Sequence, residues 1–175
     1  MIEGVSIRGI DVQLDDRGSF AEVFSDRWNL PIAPRQWSLV RSIAGTLRGM
    51  HLHVRHDEYL MPISGRCVVG LHDLRPDSAT LGRSMLIEID GADPKCLCFP
   101  RGVVHGWYFP TDTLHLQAVS EPYSEYGDDD NFGCHHADPA LGLQWPENPT
   151  VVSERALTFP DLAALRVQVN ELWTR

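Results

Sequence analysis

The chain has 175 residues, of which 43% are hydrophobic and 22% charged, and its formal net charge is −9. This length suits one domain with a substantial core, so we predict a single domain over residues 1–175. The acidic balance argues against a nucleic-acid-binding surface, which needs a basic face, but a few local arginines suffice to hold a small anionic substrate.

The N-terminal segment lacks a basic region followed by an apolar run, and no apolar stretch approaches the ~20 residues that span a bilayer. We therefore expect a cytoplasmic protein without membrane contact. The four cysteines are expected to be free thiols of a reducing compartment. Cys96 and Cys98 suit a metal or redox pair, but we interpret them as small apolar side chains on one face of a strand.

Short apolar runs alternate with turn signals about every ten residues along most of the chain. The runs include FAEVFS, QWSLVRSI, CVVGLHDL, SMLIEI, KCLCF and LHLQAVS, with DDRG, RPDS, DGADP and PTD between them. Many short strands at even spacing predict an all-β sandwich or barrel, here over about residues 5–150. From Phe159 onward, apolar residues recur at near-helical intervals, which predicts one amphipathic helix over about residues 159–173.

Histidines concentrate in the segment GTLRGMHLHVRHDEYLMPISG, residues 45–65. Residues two apart on a strand point to the same face, so His51 and His53 project together. Glu58 comes five residues after His53, which leaves enough residues for a tight turn onto the next strand. A later segment, PRGVVHGW, supplies His105 at the start of another strand. Such a donor set is typical of sites for Fe, Mn, Ni, Co or Zn as divalent ions. We predict a metal site formed by His51, His53, Glu58 and His105.

The alternative is a polar strand whose histidines satisfy hydrogen bonds in the core. His56 lies outside the pattern and is assigned to a loop. Histidines elsewhere are expected to be structural, although His115 is a candidate to line the cavity.

These two segments resemble the motifs of the cupin superfamily. The first motif places a glycine, His-x-His, a glutamate and a second glycine at fixed intervals, and the second reads Pro-x-Gly-x-x-His. The matching residues are Gly45, His51, His53, Glu58 and Gly65, then Pro100, Gly102 and His105. The asparagine that often follows the second motif is replaced by Phe109.

Most of the chain is also similar to one cupin family, the dTDP-4-dehydrorhamnose 3,5-epimerases. The stretches that carry the resemblance are DDRGSFAEVF, RQWSLVRS, GTLRGMHLH, SGRCVVGLHDLRPDSATLG, FPRGVVHGW, ADPALGLQWP and VVSERA. The resemblance implies a double-stranded β-helix, or jelly roll. It also implies a homodimer that exchanges an N-terminal segment, and a site for a nucleotide-linked 4-keto-6-deoxysugar.

The resemblance further implies roles for individual residues. His51 falls on the catalytic base, His105 on a second cavity histidine, and Tyr123 near the sugar-binding region. Arg48 would hold phosphate or sugar oxygens. The residues that would contact the nucleotide are Arg17, Phe20, Glu22 and Gln36.

Three positions depart from the family pattern. Glu58 stands where the family has a lysine, Gln117 where it has a tyrosine acid, and Ala156 where an aspartate pairs with the base. Gln117 is therefore assigned to substrate binding. Because the lost lysine became a glutamate and His53 was gained beside it, a bound cation would restore the charge of the cavity. This coupled exchange strengthens the metal prediction.

We therefore predict a metal-dependent epimerase or isomerase acting on a carbonyl substrate. His51 cannot be a metal ligand and a free base through the same nitrogen, so metal-bound hydroxide, His115 or Tyr123 is left as the proton carrier. Two alternatives remain open: a non-haem metal oxidoreductase such as a dioxygenase, and a non-catalytic sugar- or metal-binding cupin.

Overall fold

Two antiparallel sheets form the body of the computed structural model, which describes residues 1–173. The first sheet has the strand order β1-β9-β6-β11-β4 and the second β12-β5-β10-β7-β8, with β13 parallel to β5. The strands are β1 (Ser6–Gly9), β2 (Val12–Asp15), β3 (Gly18–Ala21), β4 (Gln36–Ser42), β5 (Thr46–Leu52), β6 (Glu58–Ser64), β7 (Arg66–Asp73), β8 (Ser84–Asp90), β9 (Lys95–Phe99), β10 (Val103–Phe109), β11 (Thr113–Val119), β12 (Phe132–Gly133) and β13 (Val151–Val152). The predicted all-β sandwich is confirmed.

The space between the sheets is filled by alternate side chains of both. Leu60 and Leu97 of the first sheet pack with Val69, Leu71 and other buried residues of the second. Burial of such side chains is the main stabilising contribution to a fold of this kind. All four cysteines are buried and unpaired, and Cys96 and Cys98 pack among apolar side chains as expected.

Within residues 1–173, three α-helices accompany the strands: α1 (Tyr123–Tyr126), α2 (Glu154–Leu157) and α3 (Leu162–Trp173). The predicted C-terminal helix begins three residues later than expected, because the Asp161 carboxylate accepts the Ala164 N–H at 2.7 Å and caps the first turn. Its buried residues Leu162, Leu165 and Val169 pack on the outer side of the second sheet. Within residues 1–173 no helix has the length and apolarity to cross a membrane.

The N-terminal hairpin β2–β3 pairs with neither large sheet. Its side chains Leu14 and Phe20 are 81% and 67% exposed. It therefore projects apolar surface into solvent.

Close approach of β5 and β10 positions the functional site. In their antiparallel register His105 lies opposite His51 and Gly106 lies opposite Gly49. A Cβ atom on Gly49, whose φ is +130°, would lie 2.5 Å from the Gly106 Cα atom. Glycine at this position lets the two histidine-bearing strands lie next to each other.

Candidate active site

A cavity of about 570 Å³ opens between the two sheets. Glu58 and Gln117 reach it from β6 and β11 of the first sheet, and His51 and Trp107 from β5 and β10 of the second. Residues after α1, including Asn131, close one side. Most of the polar residues of the two sequence motifs therefore meet in one place.

His53, Glu58 and His105 form a buried cluster across the two sheets. The Glu58 Oε1 atom lies 3.2 Å from His53 Nε2 and 3.5 Å from His105 Nε2. Each ring is fixed by a backbone carbonyl on the side away from Glu58. Nδ1 of His53 lies 2.5 Å from the Asp130 carbonyl oxygen, and Nδ1 of His105 lies 3.0 Å from the Val103 carbonyl oxygen. Carbonyls only accept, so each Nδ1 carries a proton and each Nε2 atom faces the Glu58 carboxylate.

The cluster thus brings two imidazole Nε2 atoms and one carboxylate oxygen together around one point. Burial would raise the pKa of Glu58, but His105, His53 and His56 outweigh it and hold the pKa well below its usual range. A carboxylate buried between two imidazoles requires positive charge beside it, which either a proton on a ring or a metal ion can supply. Two imidazoles and one carboxylate are a donor set that divalent transition metals accept.

His51 lines the same cavity but stands apart from this cluster. Its ring centroid is 6.4 Å from that of His53 and 6.0 Å from that of His105. Among residues 1–173 two groups have metal-ligand spacing, one formed by His53, Glu58 and His105 and one by His53, His56 and Asp130, and neither contains His51. Of the four expected ligands, the structure therefore brings three together, while the His51 ring packs toward Phe159 at a centroid distance of 5.9 Å.

The separation of His51 leaves its imidazole available for proton transfer. Burial, together with the nearby His105 and His53 rings, lowers the pKa of His51 to about 3, so its ring is neutral. Ala156, which replaces the aspartate of the family pattern, is buried and offers no polar atom.

His56 lies in the loop between β5 and β6, as expected from the sequence. Its ring is buried and stacks between His53 and Tyr126, at centroid distances of 4.1 and 4.3 Å. Nδ1 lies 2.9 Å from the Asp130 carboxylate. Burial would lower the pKa of His56, but Asp130 and Glu58 outweigh it and raise the pKa to about 9, so His56 is an imidazolium.

Asp130 is a site residue that the sequence did not reveal, because it lies in an acidic run typical of a solvated loop. The β12 strand that follows it pairs with the end of β5, which brings residue 130 beside the histidine segment. Its carboxylate accepts the backbone N–H groups of Val54 and Arg55 at 2.6 and 3.0 Å. Asp130 therefore organises the backbone next to His53 as well as pairing with His56.

Gln117 and Tyr126 complete the polar lining. The Gln117 amide donates to Glu58 Oε2 at 3.1 Å and so occupies the second carboxylate oxygen. Burial, Glu58 and Asp130 raise the pKa of Tyr126 to about 12, which keeps its hydroxyl protonated. Tyr126 was not singled out by the sequence, since it lies beyond the motifs.

Two arginines give the cavity its positive charge. Arg48 and Arg41 both line it. The Arg48 guanidinium is held in place by donating to Ser42 Oγ at 2.9 Å and to the Arg41 carbonyl at 3.2 Å. This wall suits the phosphate or sugar oxygens that the sequence assigned to Arg48.

Other predicted residues lie elsewhere in the chain. Arg17 is exposed and pairs with Asp15, while Phe20 and Glu22 line a separate cavity of about 250 Å³. Because all three belong to the projecting hairpin or follow it directly, the fold does not bring them to the cavity of their own chain.

His115 and Tyr123 were the two candidates for proton transfer besides His51, and neither lines the large cavity. His115 is fully buried between Trp107 and Phe109 and does not line the cavity, since strand β11 turns it into the core. Tyr123 is half exposed and donates its hydroxyl to Asp128 at 3.1 Å. With Gln36 it lines a small neighbouring cavity that shares Gln117 and Tyr126 with the large one.

Comparison with known proteins gives one consistent family. The family model described as dTDP-4-dehydrorhamnose 3,5-epimerase matches residues 1–164. A dTDP-4-dehydrorhamnose 3,5-epimerase of Sinorhizobium fredii is 31% identical over 166 residues, covering 87% of this chain and 82% of its own.

Solved structures give the same fold. NovW of Streptomyces spheroides, a 4-keto-6-deoxy sugar epimerase from the novobiocin biosynthetic gene cluster, superimposes with a TM-score of 0.84 at 26% identity, over 95% of this chain and 87% of its own. An epimerase of Legionella pneumophila, solved with dTDP-4-keto-L-rhamnose, has a TM-score of 0.83 at 24% identity, over 94% and 93% of the two chains.

Proposed function

Because the chain belongs to the dTDP-4-dehydrorhamnose 3,5-epimerase family, a family of jelly-roll cupins, we propose that it is an isomerase. Its reaction would invert a stereocentre beside the carbonyl of a dTDP-linked 4-keto-6-deoxysugar. The observation that carries this proposal is the placement of neutral His51 in one cavity with Arg41 and Arg48. The arginines supply positive charge for an anionic sugar nucleotide, and the imidazole supplies a lone pair for the proton.

The reaction starts with removal of the proton from the carbon next to the carbonyl. His51 accepts this proton, and the electron pair moves toward the carbonyl oxygen to give an enolate. Reprotonation of the carbon on its other face gives the epimer. The enolate oxygen carries the developing charge, so positive charge in the cavity lowers the barrier.

We further propose a divalent metal ion at His53, Glu58 and His105. Three possible ligand atoms that lie close together support it, and so do the two backbone carbonyls that hold the histidine Nδ1 atoms. When bound, the ion would supply Lewis-acid stabilisation of an oxyanion. His51 lies outside this set, so it would be free to accept a proton and would not need to fill both of its predicted roles.

A metal-dependent oxygenase is the second candidate. Two histidines and one carboxylate are the ligand set of non-haem Fe(II) oxygenases, and this chain offers that set. Oxygen consumption on adding Fe(II) and a sugar nucleotide would favour the oxygenase; its absence together with hydrogen exchange would favour the epimerase.

A homodimer also forms part of the proposal. The hairpin β2–β3 exposes Leu14 and Phe20, and the outer face of edge strand β4 exposes Leu39 at 62%. An exchanged hairpin would bring Arg17, Phe20 and Glu22 to the cavity of the second copy. Light scattering with size-exclusion chromatography tests this: a monomer at micromolar concentration would contradict it.

The reaction is tested by hydrogen exchange. The protein is incubated in D2O with dTDP-4-keto-6-deoxyglucose, and NMR follows deuterium entry at the carbons beside the carbonyl. We expect deuterium in an inverted product for the native protein and neither exchange nor inversion for His51→Gln. No exchange by the native protein, with or without added divalent metal, would refute the epimerase.

The metal is tested separately by elemental analysis and Co(II) titration. We expect one divalent ion per chain, lost in Glu58→Gln and His105→Gln. His135→Gln serves as the control, since His135 lies outside the cavity. Equal metal content in all four proteins would refute this site without touching the epimerase proposal.

A further inference from the structure

Inversion at a carbon requires two proton-transferring groups. A single base that returns the proton to the face from which it came regenerates the starting isomer. A donor other than His51 must therefore reach the opposite face of the substrate. The following inference rests on the proposed epimerase function and identifies that donor.

Three polar side chains near the cavity are unsuited to this role. The Gln117 amide has no acidic proton at neutral pH and is bound to Glu58. His115 is buried behind the cavity wall. The Tyr123 hydroxyl already donates to Asp128, and Tyr123 does not line the large cavity.

Tyr126 reaches the cavity from a different part of the fold than His51. It lines the large cavity together with His51 but comes from α1, whereas His51 comes from β5. Its ring is fixed by stacking on buried His56 and by an edge contact to Tyr123 at 5.4 Å between centroids. Within residues 1–173 no hydrogen bond engages the Tyr126 hydroxyl, so its proton is free for a ligand.

We propose that Tyr126 is the general acid of this site. After His51 has taken the proton and the enolate has formed, the Tyr126 O–H bond breaks and its proton joins the carbon on the opposite face. The enolate electron pair re-forms the carbonyl, leaving a tyrosinate and an imidazolium. Transfer of one proton between these two groups through solvent restores the starting state, with no net oxidation or reduction.

The test separates proton removal from proton delivery. Tyr126→Phe retains the ring that stacks on His56 and loses only the hydroxyl. In D2O with dTDP-4-keto-6-deoxyglucose, we expect it to exchange deuterium into the substrate while inversion falls by about 10²–10⁴-fold. Tyr126→His, which restores a proton donor, should recover part of the inversion.

Controls make each outcome decisive. Tyr108→Phe removes a hydroxyl that bonds Glu147 outside the cavity and should invert at the native rate. Binding of dTDP, measured by calorimetry, verifies that each variant is folded. Native inversion by Tyr126→Phe would overturn the inference alone, as would loss of both exchange and inversion in a variant that still binds dTDP. No exchange by the native protein would overturn the proposed function and this inference together.

Discussion

Replacing Asp130 by asparagine tests whether one buried carboxylate organises the site. The side chain is fully buried, accepts two backbone N–H groups and pairs with the His56 imidazolium. Asparagine has almost the same shape but carries no charge and offers only one acceptor oxygen. One of the three donors then faces an amide NH2 group, and the imidazolium remains buried without a counter-ion.

The expected cost follows from these contacts. Breaking a buried ion pair by removing one partner costs about 3–5 kcal/mol, much of it from the unpaired charge that remains. For a domain of this size each kcal/mol shifts the melting temperature by roughly 2–4 °C, so the melting temperature of Asp130→Asn should fall by roughly 6–20 °C. Its affinity for a divalent ion should fall by about 10–100-fold, because His53 and its neighbours lose their support.

The matched control is Asp129→Asn, which changes an exposed neighbour in the same acidic run. A surface change of this kind should alter stability by no more than about 0.5 kcal/mol. Calorimetric melting in chelator and a Co(II) titration give the two readouts. If both variants have the same melting temperature, Asp130 does not organise the site and the assignment of His56 as a buried cation is wrong.

Three further changes test other parts of the site and fold. Glu58→Lys should abolish metal binding by elemental analysis and make any epimerase activity insensitive to chelator, since one ammonium replaces the carboxylate and its ion. Burial would raise the pKa of Asp73, but its hydrogen bonds to Arg75, Ser78 and Thr80 outweigh burial and lower the pKa from 3.8 to about 2. The ionised Asp73 therefore stabilises the fold above pH ~4, and this stabilisation is lost as the pH falls toward 2. In urea unfolding, Asp73→Asn should be less stable than the native protein near neutral pH and equally stable near pH 2. Gly49→Ala should lower the free energy of unfolding by at least ~1 kcal/mol, because its Cβ atom would clash with Gly106. Gly18→Ala is the control: Gly18 has a similar φ of +131° but no atom near its Cβ position, so this variant measures the backbone strain without the clash.

The sequence predicted the architecture well because strand signals are local. Alternating short apolar runs and turn residues indicate a β-sandwich without any long-range information. The start of the C-terminal helix was predicted less accurately. Phe159 fits the apolar period of the helix, but the helix begins only at Leu162, after the Asp161 cap. Capping depends on a specific hydrogen bond that periodicity does not detect.

The site was predicted only where its residues share a motif. His53, Glu58 and His105 stand at fixed intervals that place them on facing strands, and they do come together. His51 satisfies the same interval, but the direction of its ring depends on packing against Phe159, more than 100 residues away. Asp130 and Tyr126 reach the site through a loop whose sequence resembles a solvated surface, so no local pattern predicted them.

The charges of the cluster give a common reason for its substitutions. Glu58 contributes −1 and the Asp130–His56 pair is neutral, so these three groups together carry one uncompensated negative charge. A divalent ion brings the Glu58 site to +1, which is the charge of the lysine that the family pattern has at this position. Electrostatic stabilisation of an enolate depends on this charge and on its distance, not on whether an ammonium or a metal ion carries it. If the proposed ion is bound, the exchange of lysine for glutamate would keep the electrostatics of the reaction, and the activity would depend on the supply of metal.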